Sequence, residues 1–218
     1  MANLNLNADE VLTTTRAVRK RLDFDRPVEM DILRECLDIA LQAPSGSNSQ
    51  GWQFMLVTDT AKIATIAEYY RQAFAEYEAS DLQPTAHHKG DPVMEATQER
   101  VLSSAQYLAQ NLHRVPALLI PCAGVRPDIP GMPLGAIAGI LGSIVPAVWS
   151  FMLAARERGI GTCWTTLHLN FEKEVAALLD IPDEVAQVAL IPIAYTLGTE
   201  FKAAPRTALD KSLHINSW

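Results

Sequence analysis

Apolar positions recur along this chain of 218 residues in two rhythms, one near 3.6 and one close to continuous. The helical rhythm is plain at Ile32, Leu33, Cys36, Leu37, Ile39 and Ala40, after Pro27 and before Pro44, where the helix must stop. Asn7 can cap a first helix from Ala8 to about Arg16. Long helices are expected from Thr60 to about Ser80 and from Met94 to His113, with a Pro/Gly loop from Asp81 to Pro92 between them. Short, nearly continuous apolar runs predict buried strands at Trp52–Thr58 and Ala117–Ala123, although Pro121 complicates the latter. Thr162–Leu167 and Val185–Leu197 read as strands and Phe171–Leu179 as a helix. Gly124 to about Gly135 reads as a loop, and the tail from Lys202 to Trp218 as irregular. Helices outweigh strands and do not alternate regularly with them. The expected class is therefore α+β, with a small mixed sheet.

One segment departs from amphipathic patterning. From Ile129 to Ala155 there is no charged residue. That length would span a bilayer, and Gly135 and Gly139 have the spacing of membrane helix pairs. Its start is rich in Gly and Pro, Pro146 interrupts it, and Arg156, Glu157 and Arg158 end it with mixed charge. The better expectation is a buried helix over Ile140–Glu157, ended by Gly159 and Gly161. A helix apolar all round needs cover on all sides, and a second subunit would supply part of it.

Composition narrows the function. Acidic residues number 25 against 18 basic ones, for a net charge of −7, with 49% apolar and 20% charged residues. Such a chain folds as one domain over residues 1–218 and is neither disordered nor a general nucleic-acid binder. Cys36, Cys122 and Cys163 are scattered, with no CxxC, so no disulfide framework or cysteine zinc site is expected. The opening MANLNLNADE has neither a basic nor an apolar leader region, which makes a reducing cytoplasmic compartment and no membrane association the expectation.

Four segments could carry chemistry. Arg16-Ala17-Val18-Arg19-Lys20-Arg21 is basic at four of six positions. Guanidinium groups there would suit a phosphate, although a solvated basic turn has the same composition. Ala43 to Trp52 (APSGSNSQGW) is dense in hydroxyl and amide groups that could bond a polar planar ligand, or simply form a loop. Ser45 lacks the GxSxG context of a hydrolytic nucleophile. Gly159 to His168 (GIGTCWTTLH) lets backbone approach a ligand beside Trp164, or serves as a helix cap leading into a core strand. Cys163 there suits packing better than reactivity. Lys202 and Arg206 in the tail could add cations to a phosphate site. His87-His88, His113, His168 and His214 have no metal-ligand spacing, so no metal site is expected. Neither GxGxxG after a strand nor GxxxxGK[ST] occurs.

Taken in order, these segments resemble the FMN-dependent nitroreductase family over about residues 10–210. The family pattern R-[RS]-S-x-R stands as Arg16-Ala17-Val18-Arg19. A-P-S-x-x-N-x-Q-P-W stands as Ala43 to Trp52, G-[LI]-G-T-C-W as Gly159 to Trp164, and the late basic residue as Arg206. The resemblance implies a small, mainly antiparallel central sheet flanked by helices, in an intertwined homodimer with flavins at the interface. It implies that Arg16, Ala17, Arg19 and Arg206 lie at the FMN phosphate. Pro44, Ser45, Ser47 and Asn48 would reach a flavin from the turn, with Gln50 supporting that turn. Trp164, Thr165, Thr166 and Leu167 would lie along the isoalloxazine and give backbone hydrogen bonds near its reactive nitrogen. NADH or NADPH would then reduce the flavin, and a nitroaromatic or quinone would be reduced in turn, with ping-pong kinetics and no side-chain acid or base. The pocket rim would come from Asp81–Pro92 and Gly124–Leu134, with aromatic contacts from Tyr69, Tyr70, Phe74 and Tyr77. The chain departs from the family at Ala17, where Ser is usual, at Gly51, where Pro is usual, and at Thr165-Thr166-Leu167, where many members carry a Gly-containing sequence. Dehalogenation, flavin breakdown or flavin storage on the same fold would share these motifs.

Overall fold

The computed structural model describes residues 3–218. Met1 and Ala2, at the head of the segment read as lacking a leader, lie outside them. Helices α1 (Ala8–Thr14), α2 (Met30–Ala40), α3 (Thr60–Glu78), α4 (Pro92–Asn111), α5 (Leu134–Glu157) and α6 (Glu172–Leu179) surround strands β1 (Leu22–Asp23), β2 (Trp52–Val57), β3 (Ala117–Ala123), β4 (Ile160–Thr162), β5 (Ala186–Gln187) and β6 (Ile191–Thr196). The strand order is β1-β6-β3-β2, with β4 also on β6 and β5 also on β3. All of these ladders are antiparallel. The mixed character expected of the sheet reduces to one isolated parallel bridge, between Ala17 and Thr162.

The side-chain alternation of β3 explains the layering. Leu118, Ile120 and Cys122 join one apolar cluster with Ile63, Ile66 and Phe74 of α3, Leu108 of α4 and Val175 of α6. Ala117 and Leu119 point the other way, to Leu33 and Cys36 of α2 and Ile144, Val148 and Phe151 of α5. Every residue of β3 is buried, because helices cover both faces of the sheet. Pro121 is tolerated there.

Local chemistry sets the helix starts. Asn7 and Glu10 form a reciprocal capping box, Asn7 Oδ1 accepting the Glu10 amide at 3.0 Å and Glu10 Oε2 accepting the Asn7 amide at 2.8 Å. Asp59 and Asp91 cap α3 and α4, and Pro92 occupies the first turn where no N–H is needed.

The structure corrects several boundaries. Helix α1 stops at Thr14, so Arg16 leaves the helix and runs along the sheet edge. Helix α5 starts at Leu134 rather than Ile140, taking in Gly135 and Gly139. It is long and apolar enough to cross a membrane, yet one side packs on the sheet while only 28% of its most apolar stretch is buried. Ala138, Gly142, Val145 and Trp149 form an exposed apolar stripe along it. The strand expected at Thr162–Leu167 ends at Thr162, and that expected at Val185–Leu197 divides into β5 and β6.

Candidate functional site

The basic segment is fixed by the sheet edge. The Val18 amide donates to Thr162 O over 2.8 Å, Ala17 bridges Thr162, and Val18 is 6% exposed. The extended backbone then turns Ala17 outward, between half-buried Arg16 and Arg19. Gly161 makes this docking possible. A Cβ on it would stand 2.7 Å from Thr196 Cγ2 and 3.0 Å from Val18 Cβ. Arg19 Nη1 donates to Ser104 Oγ of α4 at 3.2 Å, and Lys20 Nζ to Ser103 Oγ at 2.8 Å. Arg16 has no hydrogen bond or ion pair among the described residues.

The 163–168 segment continues from the same strand edge. Thr165 donates its amide to Leu190 O at 3.2 Å and accepts the Leu190 amide at 2.7 Å, so its backbone is fully used. Its hydroxyl donates to buried Tyr70 Oη at 3.1 Å. Burial pushes the Tyr70 phenol up to about 12, with the Thr165 bond opposing. Thr165 therefore has no backbone group left for a ligand, which narrows the expected contacts. The amides of Trp164 and Thr166 are unpartnered among the described residues. Trp164 and Leu167 are half-buried and Thr166 is exposed. Cys163 is buried, and burial raises its thiol pKa, with nearby Arg19 opposing, as suits a packing residue.

The Ala43–Gly51 turn is built from side-chain bonds. Ser45 Oγ accepts the Gln50 amide at 3.0 Å, and Gln50 Nε2 donates to Asn48 Oδ1 at 3.2 Å, so Gln50 does support the turn. The Ser45 hydroxyl proton and the Asn48 amide hydrogens remain open for a ligand. Ser47, Asn48 and Gln50 all have φ near +50° (53°, 54° and 50°), a concentration of left-handed non-glycine residues typical of functional turns. Pro44 is exposed at the turn entrance. Ser143 of α5 holds the turn, accepting the Gly46 amide at 2.9 Å. Behind it lies a cavity of about 290 Å³ bordered by Gly46, Trp52, Gly124, Gly139 and Ile144. Gly124 donates its amide to Gly51 O at 2.9 Å, an approach that leaves no room for a Cβ on Gly124.

These parts are not all in one place. The turn is anchored at Ser143, in the middle of α5, whereas the basic segment lies beside Arg156 in the last turn of that helix. Thirteen helical residues separate the two, about 20 Å at 1.5 Å per residue. Arg206 is exposed and donates to its neighbour Pro205 O at 2.9 Å, with no bond to the basic segment among the described residues. The aromatic candidates on α3 mostly serve packing: Tyr70 and Phe74 are in the core, and Tyr69 stacks on Phe171 at 5.2 Å. In the Gly124–Leu134 rim, Arg126 is tied to Asp128 and Glu172. No group of three or more His, Cys, Asp or Glu among the described residues could hold a metal ion. Sequence reasoning missed Ser143, Ser104, Tyr70 as the partner of Thr165, and Arg156. Each acts through a long-range contact that no local motif encodes.

The open donors suit a phosphorylated, planar, polar ligand. Arg16 and Arg19 offer fixed positive charge, and Trp164 and Thr166 offer unpaired amides on the same strand edge.

A family model described as the nitroreductase family matches residues 12–195. A 4-nitrobenzoate reductase of Pseudomonas putida is 28% identical over 207 residues, covering 89% of this chain and 88% of the relative. A 5,6-dimethylbenzimidazole synthase of Rhodospirillum rubrum is 29% identical over 171 residues, covering 78% and 73%. In three dimensions, the FMN- and NADPH-dependent nitroreductase NfnB from Sphigopyxis sp. strain HMH superposes with a TM-score of 0.70 at 21% identity, covering 98% of this chain and 100% of that one, which shows the fold.

Proposed function

Because the chain belongs to the nitroreductase family, we propose that it is an FMN-dependent oxidoreductase that uses NADH or NADPH to reduce electron-poor small molecules such as nitroaromatics or quinones. The observation that carries this reading is the docking of the Arg16–Arg19 segment onto Thr162, just ahead of Trp164 and Thr166, whose amides have no partner among the described residues.

FMN, when bound, supplies the hydride chemistry. The protein's task is to hold and orient it. Arg16, Arg19 and Arg206 would neutralise the phosphate, with Ala17 presenting its backbone between the first two. The amides of Trp164 and Thr166 would face the isoalloxazine edge, and Leu167 would give it an apolar wall. Thr165 acts one step back. Its bonds to Leu190 and Tyr70 lock the segment, so its neighbours' donors stay aimed without reorganisation.

The turn bearing Pro44, Ser45, Ser47 and Asn48 lies about 20 Å along α5 from the phosphate end, too far to serve the same flavin within one chain. A homodimer that lays the exposed stripe of α5 against its copy resolves this, because one subunit's turn then meets the other's basic segment. The exposed tail, with Leu209, Leu213, Ile215 and Trp218, has apolar surface for the same purpose.

The purified protein is expected to be yellow, to bleach on anaerobic mixing with NADH or NADPH, and to recover its colour with a nitroaromatic or quinone. A bound flavin that neither nucleotide bleaches would overturn the oxidoreductase reading in favour of storage or sensing. The likeness to 5,6-dimethylbenzimidazole synthase supports a second reading, a flavoenzyme of different chemistry on this fold. Bleaching by NAD(P)H followed by loss of the flavin itself, rather than reduction of an added acceptor, would favour it. An Arg16→Ala/Arg206→Ala variant should fold and lose most of its FMN. Full occupancy in that variant would remove these arginines from the phosphate site.

A further inference from the structure

Arg156, in the last turn of α5, has no place in the site as drawn so far. Its side chain is buried at 6% exposure. Nε donates to Thr14 Oγ1 at 3.2 Å, but Nη1 is shut away from solvent with no hydrogen-bond partner among the described residues. Among the described residues no carboxylate forms an ion pair with it, and Glu157 acts on it only through its charge, without a direct bond. The adjacent Glu157 spends both oxygens on the amides of Asn5 and Leu6, at 2.7 and 3.1 Å. The guanidinium lies 5.0 Å from the Phe201 ring, whose centroid also carries Arg21 at 4.1 Å. Arg21 is itself satisfied by the carbonyls of Leu197, Gly198 and Glu200. A cation–π contact does not satisfy an N–H, and a shared ring does not cancel two positive charges. A buried guanidinium left in this state is strongly unfavourable unless an anion completes it.

The surroundings indicate where that anion enters. Arg156 borders a hole of about 10 Å³ also lined by Thr15, Arg16, Thr162 and Phe201. That is room for about one oxygen-sized atom. A water molecule there would accept one hydrogen bond and leave the charge unbalanced, whereas an anionic oxygen would do both. Arg16 lines the same hole and has no bond or ion pair among the described residues, so two cations converge on one vacancy with no directly paired carboxylate. Arg16 is also the residue from which the basic segment meets the phosphate in the function proposed above. The hole therefore lies on the phosphate side of the flavin site.

We propose that Arg156 is a buried fourth cation of the flavin-phosphate site, presenting Nη1 to a phosphate oxygen that enters between Arg16 and Phe201. The inference rests on the FMN reading. It adds a residue from α5, the helix proposed to form the dimer seam, to a site otherwise built from the strand edge and the tail. Flavin occupancy and the seating of the C-terminal end of α5 are then linked, because phosphate binding completes Arg156.

The test compares FMN with riboflavin, which lacks the phosphate, on the full-length protein freed of flavin. Quenching of flavin fluorescence gives both dissociation constants. Arg156→Met is expected to raise the constant for FMN about 10- to 100-fold, as for loss of a hydrogen bond between charged groups, and to leave that for riboflavin within about twofold. Arg156→Lys keeps the charge without the planar fork and should fall between. It also carries the test if the methionine variant does not fold. An equal weakening of FMN and riboflavin would overturn the proposal and make Arg156 a purely structural residue. An unchanged FMN constant would overturn it as well, and if chloride then raised the unfolding temperature of the native protein but not of the variant, the hole would be a halide site. Failure of the FMN reading looks different: the native protein itself would bind FMN no better than riboflavin, whatever stands at position 156.

Discussion

Gly46 donates its amide to Ser143 Oγ over 2.9 Å, and the Ser143 hydroxyl donates in turn to Gly139 O at 2.7 Å. This hydroxyl joins the Ser45–Asn48 turn to the middle of α5. Ser143→Ala leaves the helix intact, since serine gives nothing essential to it, but frees the turn. The expected loss is about 0.5–1.5 kcal/mol, and the dissociation constant for FMN should rise about 2- to 10-fold. Hydrogen exchange at the Gly46 amide should accelerate while the rest of α5 keeps its protection. Unchanged flavin affinity together with faster exchange at Gly46 would take the turn out of the binding site.

Gly161 is required by space rather than by backbone conformation. Any side chain there meets Thr196 Cγ2 and Val18 within 3.0 Å. Gly161→Ala should cost about 1–3 kcal/mol in denaturant unfolding, by pushing the Arg16–Arg19 segment off Thr162. Flavin should be lost at denaturant concentrations below the unfolding midpoint, because the cations depend on that docking.

Trp149 is 39% exposed and Val145 38% exposed on the uncovered stripe of α5. An aspartate at either position would put an unpaired charge into the proposed subunit seam. Trp149→Asp and Val145→Asp should therefore yield monomers by sedimentation, with little flavin bound. A variant that stays dimeric and keeps its flavin would place the seam elsewhere.

His168 gives the fold a dependence on acid. It is wholly buried, both ring nitrogens lack partners among the described residues, and burial lowers its pKa from 6.5 to about 3. The folded state thus holds the imidazole neutral, while the unfolded chain takes up a proton below pH 6.5. The stability tied to neutral His168 is fully present above that pH and declines as the pH falls toward 3, by up to about 1.4 kcal/mol per pH unit. Between pH 7 and pH 5 the loss is about 2 kcal/mol. Denaturant midpoints measured across this range should slope for the native protein and flatten for His168→Leu. Equal slopes in both would assign the acid sensitivity to other groups.

Much of the architecture was legible from local pattern. Asn7 marks its helix start by side-chain chemistry, and the apolar run Ala117–Ala123 is buried on both sides, as a run without alternation should be. Strands β1 and β5 were not legible, since two paired residues carry no periodicity. The early start of α5 was hidden by Pro130, Gly131, Pro133 and Gly135, turn-forming residues that precede or enter a helix continuing for 24 residues. Thr165 read as strand because its residue type favours one. Its pairing is a single bridge to Leu190 before a 3-10 turn begins, which leaves Trp164 and Thr166 unpaired.

The sequence by itself determined which chemical groups this protein has to work with: a run of permanent cations, a hydroxyl- and amide-rich turn, a glycine-led strand beside Trp164, and a long helix without charge. Those are properties of residue type and short spacing, and they survive in one dimension. Only the tertiary structure decided that the turn and the cations stand about 20 Å apart along α5, because a helix has a fixed rise and holds apart whatever is pinned at its middle and at its C-terminal end. It also decided that Arg156 Nη1 is buried with no hydrogen-bond partner among the described residues, because burial depends on what distant segments such as Thr14 and Phe201 bring against it.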